Sequence, residues 1–336
     1  MNKISIIGAG AFGFAMAKII GDGHPDKEIF IFDVQKEHIN HIKNTGKHPI
    51  FHDNAKISSH ITVTDSLKET INNSNFIVLA VPSKFMRSAI KDLRKFLTKE
   101  VILLNIAKGL ENETNMMMHQ VIEEELKGIK TKYHICSLSG GMIASEVTLG
   151  NPLCADIACK DKNIAEKVAE TLRNKHLRLE TTKDIIGIEL SGAFKNVIAI
   201  GAGIFDGLNY GESSKSAFIS YASKEIEMLA ISLGANKKTF QSGSQAWFGD
   251  LMTTCFGRSR NREFGELIGK GFSANNALNK LIKENKSVEG YITTKVAYNL
   301  INQYNIDAPI IKLIYKLLYK ELSAKEFIKK FIFRKT

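Results

Sequence analysis

The strongest pattern in the chain is a long apolar segment near its middle. Residues 187–207 read GIELSGAFKNVIAIGAGIFDG, and Leu190, Ala193 and Val197 recur at the spacing of a core-facing helical stripe. The remaining faces of the segment are almost as apolar. The pattern therefore predicts a helix that is buried on most of its sides.

Lys195 is the only charged residue between positions 190 and 205 of this helix, and its neighbour Asn196 is the only amide. An ammonium group among apolar side chains is costly unless it is paired or loses its proton. A lysine can also lie along an apolar surface and place its ammonium group in water. The helix alone supports a chemical role and a structural one equally.

The start of the chain has the pattern of a nucleotide-binding turn. A β-rich run, residues 3–7, leads into GAGAFG at positions 8–13, and an apolar helical segment follows at 14–20. A G-x-G-x-x-G sequence between a strand and a helix is typical of dinucleotide binding. In that arrangement Gly8 allows the turn, Gly10 lets the backbone approach a pyrophosphate, and Gly13 allows close packing. The helix N-terminus favours the phosphates.

Asp33 ends the second predicted strand, residues 28–33, twenty residues after Gly13. A dinucleotide fold places the carboxylate that binds the adenosine ribose at this point. A carboxylate there accepts hydrogen bonds from a 2′-hydroxyl and repels a 2′-phosphate, which favours NAD over NADP. Alternatively, Asp33 caps the following helix, and the nearby Lys36 could still contact a phosphate.

Three further strands are predicted from continuous apolar runs, which are typical of buried parallel strands. These runs span residues 76–81, 101–106 and 134–138. The second run leads to Lys108, and the third leads to a glycine-rich turn that contains Gly140. Because ligands bind beyond the carboxyl ends of parallel strands, both residues are predicted to face a site.

After Asp184 the pattern becomes almost entirely helical, and no convincing strand follows. Helices are predicted over residues 187–207, 215–233, 261–270, 273–282, 290–304 and 309–319. The prediction is an α/β protein in which a Rossmann-type doubly wound sheet, residues 1–184, precedes an all-α domain, residues 185–336.

Polar residues that packing does not require form two blocks in the helical half. The first block runs from Gly249 to Thr254 and includes Asp250, which could orient or neutralise Lys195. The second block, residues 257–262, reads GRSRNR. Arginine suits a phosphate because it can donate two parallel hydrogen bonds. The alternatives are a basic loop that leads a helix, or an RNA contact that lacks interleaved aromatic residues.

Composition narrows the function classes only partly. The chain has 336 residues and a net charge of +11, from 46 Lys+Arg and 35 Asp+Glu, which suits an anionic ligand, nucleic acid or an acidic membrane.

Four scattered cysteines form neither a CxxC pair nor a zinc spacing, so we expect reduced thiols and no metal site. The longest apolar run, Ile4–Ile20, contains three glycines and a lysine. Neither membrane insertion nor a signal peptide is predicted.

Together these motifs resemble the NAD(P)-dependent glycerol-3-phosphate dehydrogenase family. The resemblance is colinear over nearly the whole chain, and the helix that carries Lys195 and Asn196 is its most specific part together with the GDL and SRN blocks. The matching motifs are GAGAFG (8–13), AVPS (80–83), AKG (107–109), SGGMIASEV (139–147), GIELSGAFKNVIAIGAGIFDG (187–207), GDLMTTC (249–255), SRNREFG (259–265) and VEG (288–290).

The resemblance implies roles for individual residues, with Lys195 as the catalytic lysine. The implied substrate ligands are Lys108, Gly140, Asn196, Asp250, Thr254, Ser259, Arg260 and Asn261. The implied cofactor contacts are Gly8, Gly10, Ala11, Phe12, Gly13, Asp33, Lys108, Ala144, Arg260 and Glu289. The resemblance also implies NAD, with NADP as the alternative, no metal, and a cytoplasmic homodimer that supplies glycerol 3-phosphate for glycerophospholipid synthesis.

The chain departs from the family pattern at four places. Met142 replaces a polar residue that can bind substrate, Ser213 replaces an asparagine, and Tyr221 replaces an arginine. The segment 240–249 differs in sequence and is about two residues longer than the family pattern. These departures affect the expected substrate specificity, but they leave Lys195 in place.

The predicted activity is reversible hydride transfer between NAD(H) and C2 of glycerol 3-phosphate or dihydroxyacetone phosphate, with Lys195 as the proton donor and acceptor. Two alternatives remain open. One is a related dehydrogenase that acts on another small phosphorylated or carboxylated ketone. The other is a non-catalytic NAD-binding protein. Nucleic-acid binding rests on net charge alone and is not predicted.

Overall fold

The computed structural model describes residues 1–50, 55–284, 286–320 and 322–333. The chain forms two compact units. The first consists of Met1–Glu111 and Met116–Glu189, and the second consists of Asn112–Asn115 and Leu190–Thr336.

The first unit contains an eight-stranded sheet in the order β3-β2-β1-β4-β5-β6-β7-β8. Its strands are β1 (Lys3–Ile7), β2 (Glu28–Phe32), β3 (Ile61–Thr64), β4 (Phe76–Leu79), β5 (Val101–Asn105), β6 (Tyr133–Ser139), β7 (Leu153–Cys159) and β8 (Leu177–Thr182). All neighbouring strands are parallel except β6 and β7, which pair in antiparallel register. The predicted doubly wound sheet is confirmed, and it is a mixed sheet.

Seven helices accompany the sheet in the described part of this unit. They are α1 (Ala11–Gly23), α2 (Lys36–Thr45), α3 (Leu67–Ile71), α4 (Met86–Leu93), α5 (Met118–Glu125), α6 (Ala144–Thr148) and α7 (Lys162–Leu172). Alternate residues of β5 belong to two different apolar clusters: Leu104 packs in the cluster that contains Phe14, whereas Leu103 packs in the cluster that contains Ile90. Strands that are buried on both faces read as continuous apolar runs, which explains why the sequence identified them.

The described part of the second unit consists of helices and turns, without a strand. After α8 (Ile185–Gly207), which begins in the first unit, follow α9 (Glu212–Ser232), α10 (Asp250–Phe256), α11 (Arg260–Gly269), α12 (Ala274–Lys283), α13 (Glu289–Gln303), α14 (Pro309–Tyr319) and α15 (Ala324–Ile332). A 3₁₀ turn at Lys237–Phe240 and a π-helical turn at Gln245–Gly249 precede α10. The helical character predicted for this half is confirmed, although the pattern did not predict α10 or α15.

Helix α8 is the predicted apolar helix, and it begins two residues earlier than its motif. Within the described residues it alone is long and apolar enough to cross a membrane, but 94% of its apolar window is buried inside the structure. A helix that is apolar all round is expected in the interior of a large protein as well as in a membrane. The burial of α8 therefore accounts for its composition.

Glycines allow the backbones of α8 and α11 to touch. A Cβ atom on Gly203 would lie 1.9 Å from the carbonyl oxygen of Arg262. In the opposite direction, a Cβ on Gly265 would lie 1.9 Å from the carbonyl oxygen of Ile200. No side chain fits at either position, so this helix pair requires glycine on both partners.

We expect Gly203→Ala to destabilise the protein by about 2 kcal/mol or more, because the added methyl group forces α8 and α11 apart. The measurement is the urea midpoint of unfolding. Gly23→Ala is the matched control, since Gly23 also lies in a helix but an added Cβ there would have no atom within 4 Å. The control should change stability by less than about 1 kcal/mol. Equal midpoints for the two variants would contradict the proposed backbone contact.

Candidate active site

The glycine turn between β1 and α1 gives its three glycines different roles. Gly8 has a φ of +106°, and a Cβ there would lie 2.7 Å from the carbonyl oxygen of Ala80. A Cβ on Gly13 would lie 2.0 Å from the carbonyl oxygen of Gly8. Gly10, in contrast, precedes α1 in an extended conformation and has no atom within 4 Å of a Cβ. Open space therefore adjoins the N-terminus of α1, where a phosphate fits.

Asp33 ties this turn to the end of β2. Its Oδ2 accepts a hydrogen bond from the Ala9 N–H at 2.7 Å, and its Oδ1 accepts one from the Gln35 N–H at 2.9 Å. The alternative interpretation, that Asp33 caps the following helix, is wrong, because the N-cap of α2 is Gln35 and no side chain caps that helix. A carboxylate has about four acceptor positions, so two backbone bonds leave capacity for a ribose hydroxyl.

His48 holds the other side of Ala9 and was not identified from the sequence. The Ile50 N–H donates to Nδ1 of His48 at 3.1 Å, so Nε2 carries the hydrogen. That Nε2 lies 2.9 Å from the Ala9 carbonyl oxygen and donates to it. Both polar backbone groups of Ala9 are thereby held by side chains, which makes the glycine turn rigid. A histidine in a loop has no local sequence signal for such a contact.

Lys108 and Gly140 lie together at the ends of neighbouring strands. The Lys108 ammonium donates to the Gly140 carbonyl oxygen at 2.8 Å. A Cβ on Gly140 would lie 2.7 Å from the Cβ of Ala155, so only glycine fits in this turn. Met142, two residues further on, is buried and packs in the apolar core of the first unit.

Three more predicted cofactor contacts are helix-initial residues that are partly buried. Ala11 and Phe12 open α1, and Ala144 opens α6. Phe12 and Ala144 also pack against the core of the first unit. The backbones of Ala11 and Phe12 lie at the N-terminus of α1, which is suited to an anionic ligand.

In the second unit, Lys195 is buried and paired. The residue is 7% exposed, and its ammonium donates to Oδ1 of Asp250 and, at 2.6 Å, to Oγ1 of Thr254. The Thr254 hydroxyl in turn donates to the Asp250 carbonyl oxygen at 2.6 Å. Asp250 is itself only 2% exposed. The paired state, rather than a lysine that extends into water, is therefore the one present.

The altered segment 240–249 ends in a π-helical turn that leads directly into Asp250. Ser244 caps the turn, and Trp247 packs on Phe240 with ring centroids 4.9 Å apart. Trp247 is buried, so this part of the segment is anchored in the core. Single π-helical turns occur frequently at functional sites.

The SRN block forms the start of α11. Ser259 caps this helix by accepting from the Arg262 N–H, and Arg260 donates to Oγ of Ser287 at 2.9 Å. Asn261 is buried, and its Oδ1 accepts from the Gly290 N–H at 2.9 Å. Glu289, a predicted cofactor contact, is the first residue of α13 and precedes Gly290.

Gly290 also brings α13 close to α8. A Cβ on Gly290 would lie 2.7 Å from the carbonyl oxygen of Asn196 and 2.9 Å from Oδ1 of Asn261. The backbone of Asn196 and the side chain of Asn261 therefore pack against the same glycine.

A basic cavity of about 570 Å³ opens along α11. It is lined by Arg258, Ser259, Arg260, Arg262, Glu263, Glu266, Leu267, Lys270, Lys280 and Lys286. Six of these side chains are cationic and two are acidic, so the cavity has an excess of positive charge that suits an anion. Ser213 and Tyr221, where the chain departs from the family pattern, both lie on exposed positions of α9.

Comparison with known families gives a match to each half of the chain. Residues 3–165 match the N-terminal family of NAD-dependent glycerol-3-phosphate dehydrogenases, and residues 184–329 match the C-terminal family. The chain belongs to the NAD-dependent glycerol-3-phosphate dehydrogenase family. The family resemblance predicted from the motifs is confirmed.

Curated relatives share this family over their full length. The glycerol-3-phosphate dehydrogenase [NAD(P)+] of Fusobacterium nucleatum is 37% identical, with 99% of this chain and 97% of the relative covered. The enzyme of the same name from Listeria monocytogenes is 35% identical, with 97% and 95% covered. Because the matches extend from end to end, they include both compact units.

Solved structures of the family share the fold. The glycerol-3-phosphate dehydrogenase of Coxiella burnetii superimposes with a TM-score of 0.90 at 24% identity, with 99% of each chain covered. That of Plasmodium falciparum gives a TM-score of 0.88 at 21% identity, with 99% of this chain and 96% of the other covered. At these identities the similarity establishes the dehydrogenase fold for this chain.

Proposed function

We propose that this protein is an NAD(P)-dependent glycerol-3-phosphate dehydrogenase, which interconverts dihydroxyacetone phosphate and glycerol 3-phosphate. The observation that carries the proposal is the buried Lys195 ammonium bonded to Asp250 and Thr254. Both halves of the chain that contains this lysine match the family. The product would supply glycerophospholipid synthesis.

Lys195 acts as the general acid and base. The nicotinamide, when bound, supplies the hydride to C2 of the ketone or accepts it from the alcohol. As the ketone oxygen gains negative charge in reduction, the Lys195 ammonium donates a proton to it. In oxidation the neutral amine removes the same proton from the hydroxyl group. General acid–base catalysis of this kind contributes about 10²–10⁴-fold to a rate.

Asp250 and Thr254 orient the lysine. Each accepts a hydrogen bond from the Lys195 nitrogen. Together they determine the direction of the third N–H bond of the ammonium group. Both partners belong to α10, one turn apart, which fixes their spacing. The pair thus restricts the direction of proton transfer without taking part in it.

The phosphate of the substrate is assigned to Arg260 and Asn261, with Ser259, Asn196, Lys108 and Gly140 as further substrate ligands. Arg260 and Ser259 line the basic cavity on α11, whereas Asn261 and Lys195 do not. The side chain of Asn261 and the backbone of Asn196 both pack against Gly290. Holding the phosphate would place C2 for the reaction, and such positioning can contribute several kcal/mol.

The cofactor is assigned to the first unit. The open space at Gly10 and the exposed N-terminus of α1 fit a pyrophosphate, and Asp33 fits an adenosine ribose. NAD is therefore proposed as the preferred cofactor, with NADP as the alternative. We assign residues 1–184 to dinucleotide binding and residues 185–336 to the substrate domain, and we propose a cytoplasmic homodimer from the family resemblance.

The proposal predicts that the protein oxidises NADH when dihydroxyacetone phosphate is supplied. The measurement is the loss of NADH absorbance at about 340 nm. Dihydroxyacetone, which lacks the phosphate, should give a kcat/KM at least about 100-fold lower, because the charge-assisted contacts of Arg260 are lost. A panel of other phosphorylated ketones tests the related-dehydrogenase alternative. NADH binding without oxidation of any ketone would support a non-catalytic protein instead.

Replacing the lysine tests its role directly. Lys195→Met should lower kcat by about 10²–10⁴-fold, because the proton donor is removed. NADH affinity, measured by fluorescence titration, should change little. Lys215→Met is the matched control, since Lys215 is 4% exposed and bonded to Asp206 at 2.9 Å, but has no assigned role in the reaction.

The control should lose thermal stability and keep its kcat within a few-fold, because Lys215 contacts Asp206, Glu212 and the ring of Phe256, none of which has an assigned role in the reaction. If Lys195→Met retains turnover within a few-fold of the wild type, Lys195 is not the acid–base group.

Cofactor preference tests Asp33. In Asp33→Gly, the ratio of kcat/KM for NADPH to that for NADH should rise by about 10-fold or more, because the repulsion of the 2′-phosphate is removed. Both absolute values should fall, since the Ala9 N–H loses its acceptor. Asp26→Gly is the control for a general change of charge, as Asp26 is an exposed carboxylate in a turn of the same unit. An unchanged ratio in Asp33→Gly would exclude the proposed ribose role.

A further inference from the structure

Glu189 is a buried carboxylate surrounded by donors in the first unit. The residue is 6% exposed and lies in the first turns of α8. It accepts hydrogen bonds from Nδ2 of Asn105 at 3.0 Å and from the Ser137 hydroxyl at 2.6 Å. The His119 N–H lies 3.1 Å from both carboxylate oxygens, and Nδ1 of His119 donates at 2.9 Å.

Packing alone does not account for this carboxylate. A buried acidic group is costly unless every acceptor position is used, and an apolar side chain of similar size is often as stable. Here the donors come from three separate elements, namely the end of β5, the strand β6 and the first turn of α5. Glu189 therefore connects three elements that are distant from one another in the sequence.

Two of these donors lie close to predicted substrate ligands. Asn105 is the last residue of β5, three positions before Lys108. Ser137 lies in β6, three positions before Gly140. The turn that carries Lys108 and the turn that carries Gly140 are themselves joined by the hydrogen bond between these two residues.

Asn105 connects Glu189 to the Lys108 turn. Because the carboxylate of Glu189 can only accept, it fixes the amide of Asn105 with Nδ2 toward it. The opposite atom, Oδ1, is then directed to the Ala107 N–H and accepts from it at 2.9 Å. A reversed amide would present a donor to the Ala107 donor. The amide of Asn105 is therefore held by Glu189 on one side and by the backbone of Ala107 on the other, where the carbonyl oxygen also lies 3.5 Å from Nδ2. Glu189 thus anchors the amide that binds the backbone just before Lys108.

We propose that Glu189 is a positioning residue for substrate binding, which acts on Lys108 through the amide of Asn105. This inference rests on the proposed function, in which Lys108 binds the substrate. Glu189 touches neither reacting group. It holds the Lys108 turn in the conformation in which the ammonium reaches Gly140.

The decisive variant is Glu189→Met, which keeps the length of the side chain but removes both acceptor oxygens, including the Oε1 that accepts from Asn105 and Ser137. We expect KM for dihydroxyacetone phosphate to rise by about 10-fold, whereas kcat and NADH affinity change by less than about 3-fold. Asn105→Ala should reproduce this split, because it removes the connection and leaves His119 and Ser137 bonded to Glu189.

A double-mutant cycle separates positioning from general destabilisation. Lys108→Ala should raise KM for dihydroxyacetone phosphate at least as much as Glu189→Met does. If Glu189 acts through Lys108, the double variant Lys108→Ala/Glu189→Met should have a KM within about 2-fold of Lys108→Ala. Additive increases in KM would overturn the proposal.

Glu225→Met is the matched control. Glu225 is 7% exposed on α9, and its two oxygens accept from the Ile310 and Ile311 N–H groups at 2.9 Å each. This carboxylate caps α14, a helix that carries no assigned ligand. The control should lower the melting temperature and leave KM unchanged, so an equal rise in KM in both variants would also overturn the proposal.

Hydrogen–deuterium exchange provides a readout without catalysis. The segment 105–109 should exchange at least about 10-fold faster in Glu189→Met than in the wild type, and no faster in Glu225→Met. Unchanged exchange in Glu189→Met would refute the connection through Asn105. If the wild type fails to reduce dihydroxyacetone phosphate, the proposed function fails first. If the wild type is active and the cycle is additive, only the role of Glu189 fails.

Discussion

The burial of the Lys195 ammonium is the constraint on which the second unit depends. Helix α8 is apolar on nearly every side because it lies in the interior, yet it carries one cation there. A charge in such surroundings must be paired, and Asp250 with Thr254 provides the partners. The π-helical turn before α10 leads directly into Asp250. The glycine contacts between α8 and α11 place the helix of the SRN block against α8.

The first unit uses buried carboxylates in a comparable way. Asp33 accepts backbone hydrogen bonds from the glycine turn, and Glu189 accepts from the strand ends that precede Lys108 and Gly140. Asp33 satisfies two backbone N–H groups, whereas Glu189 satisfies the side-chain donors of Asn105 and Ser137 together with the N–H of His119 at the start of α5. Asp33 and Glu189 therefore stabilise the conformation of the turns that are proposed to bind cofactor and substrate.

Periodicity predicted most of the fold because its causes are local. Strands buried on both faces read as apolar runs, and the glycine turn has a recognisable spacing. The edge strand β3 was missed because it is four residues long and contains polar positions. Helix α10 was missed because its seven residues were interpreted as a polar block. The contribution of Met142 to the core and the pairing of β6 with β7 depend on packing, which has no local pattern.

The family and the order of the two halves could be read from the sequence, because they follow from motifs and spacings along the chain. The sequence also suggested Asp250 as a partner of Lys195, but the contact itself, like the bond between Asn105 and Glu189, depends on the folded chain. Lys195 and Asp250 are 55 residues apart, and Asn105 and Glu189 are 84 apart. Nothing local in the chain marks such pairs, since a buried charge selects its partners through the geometry of the folded core.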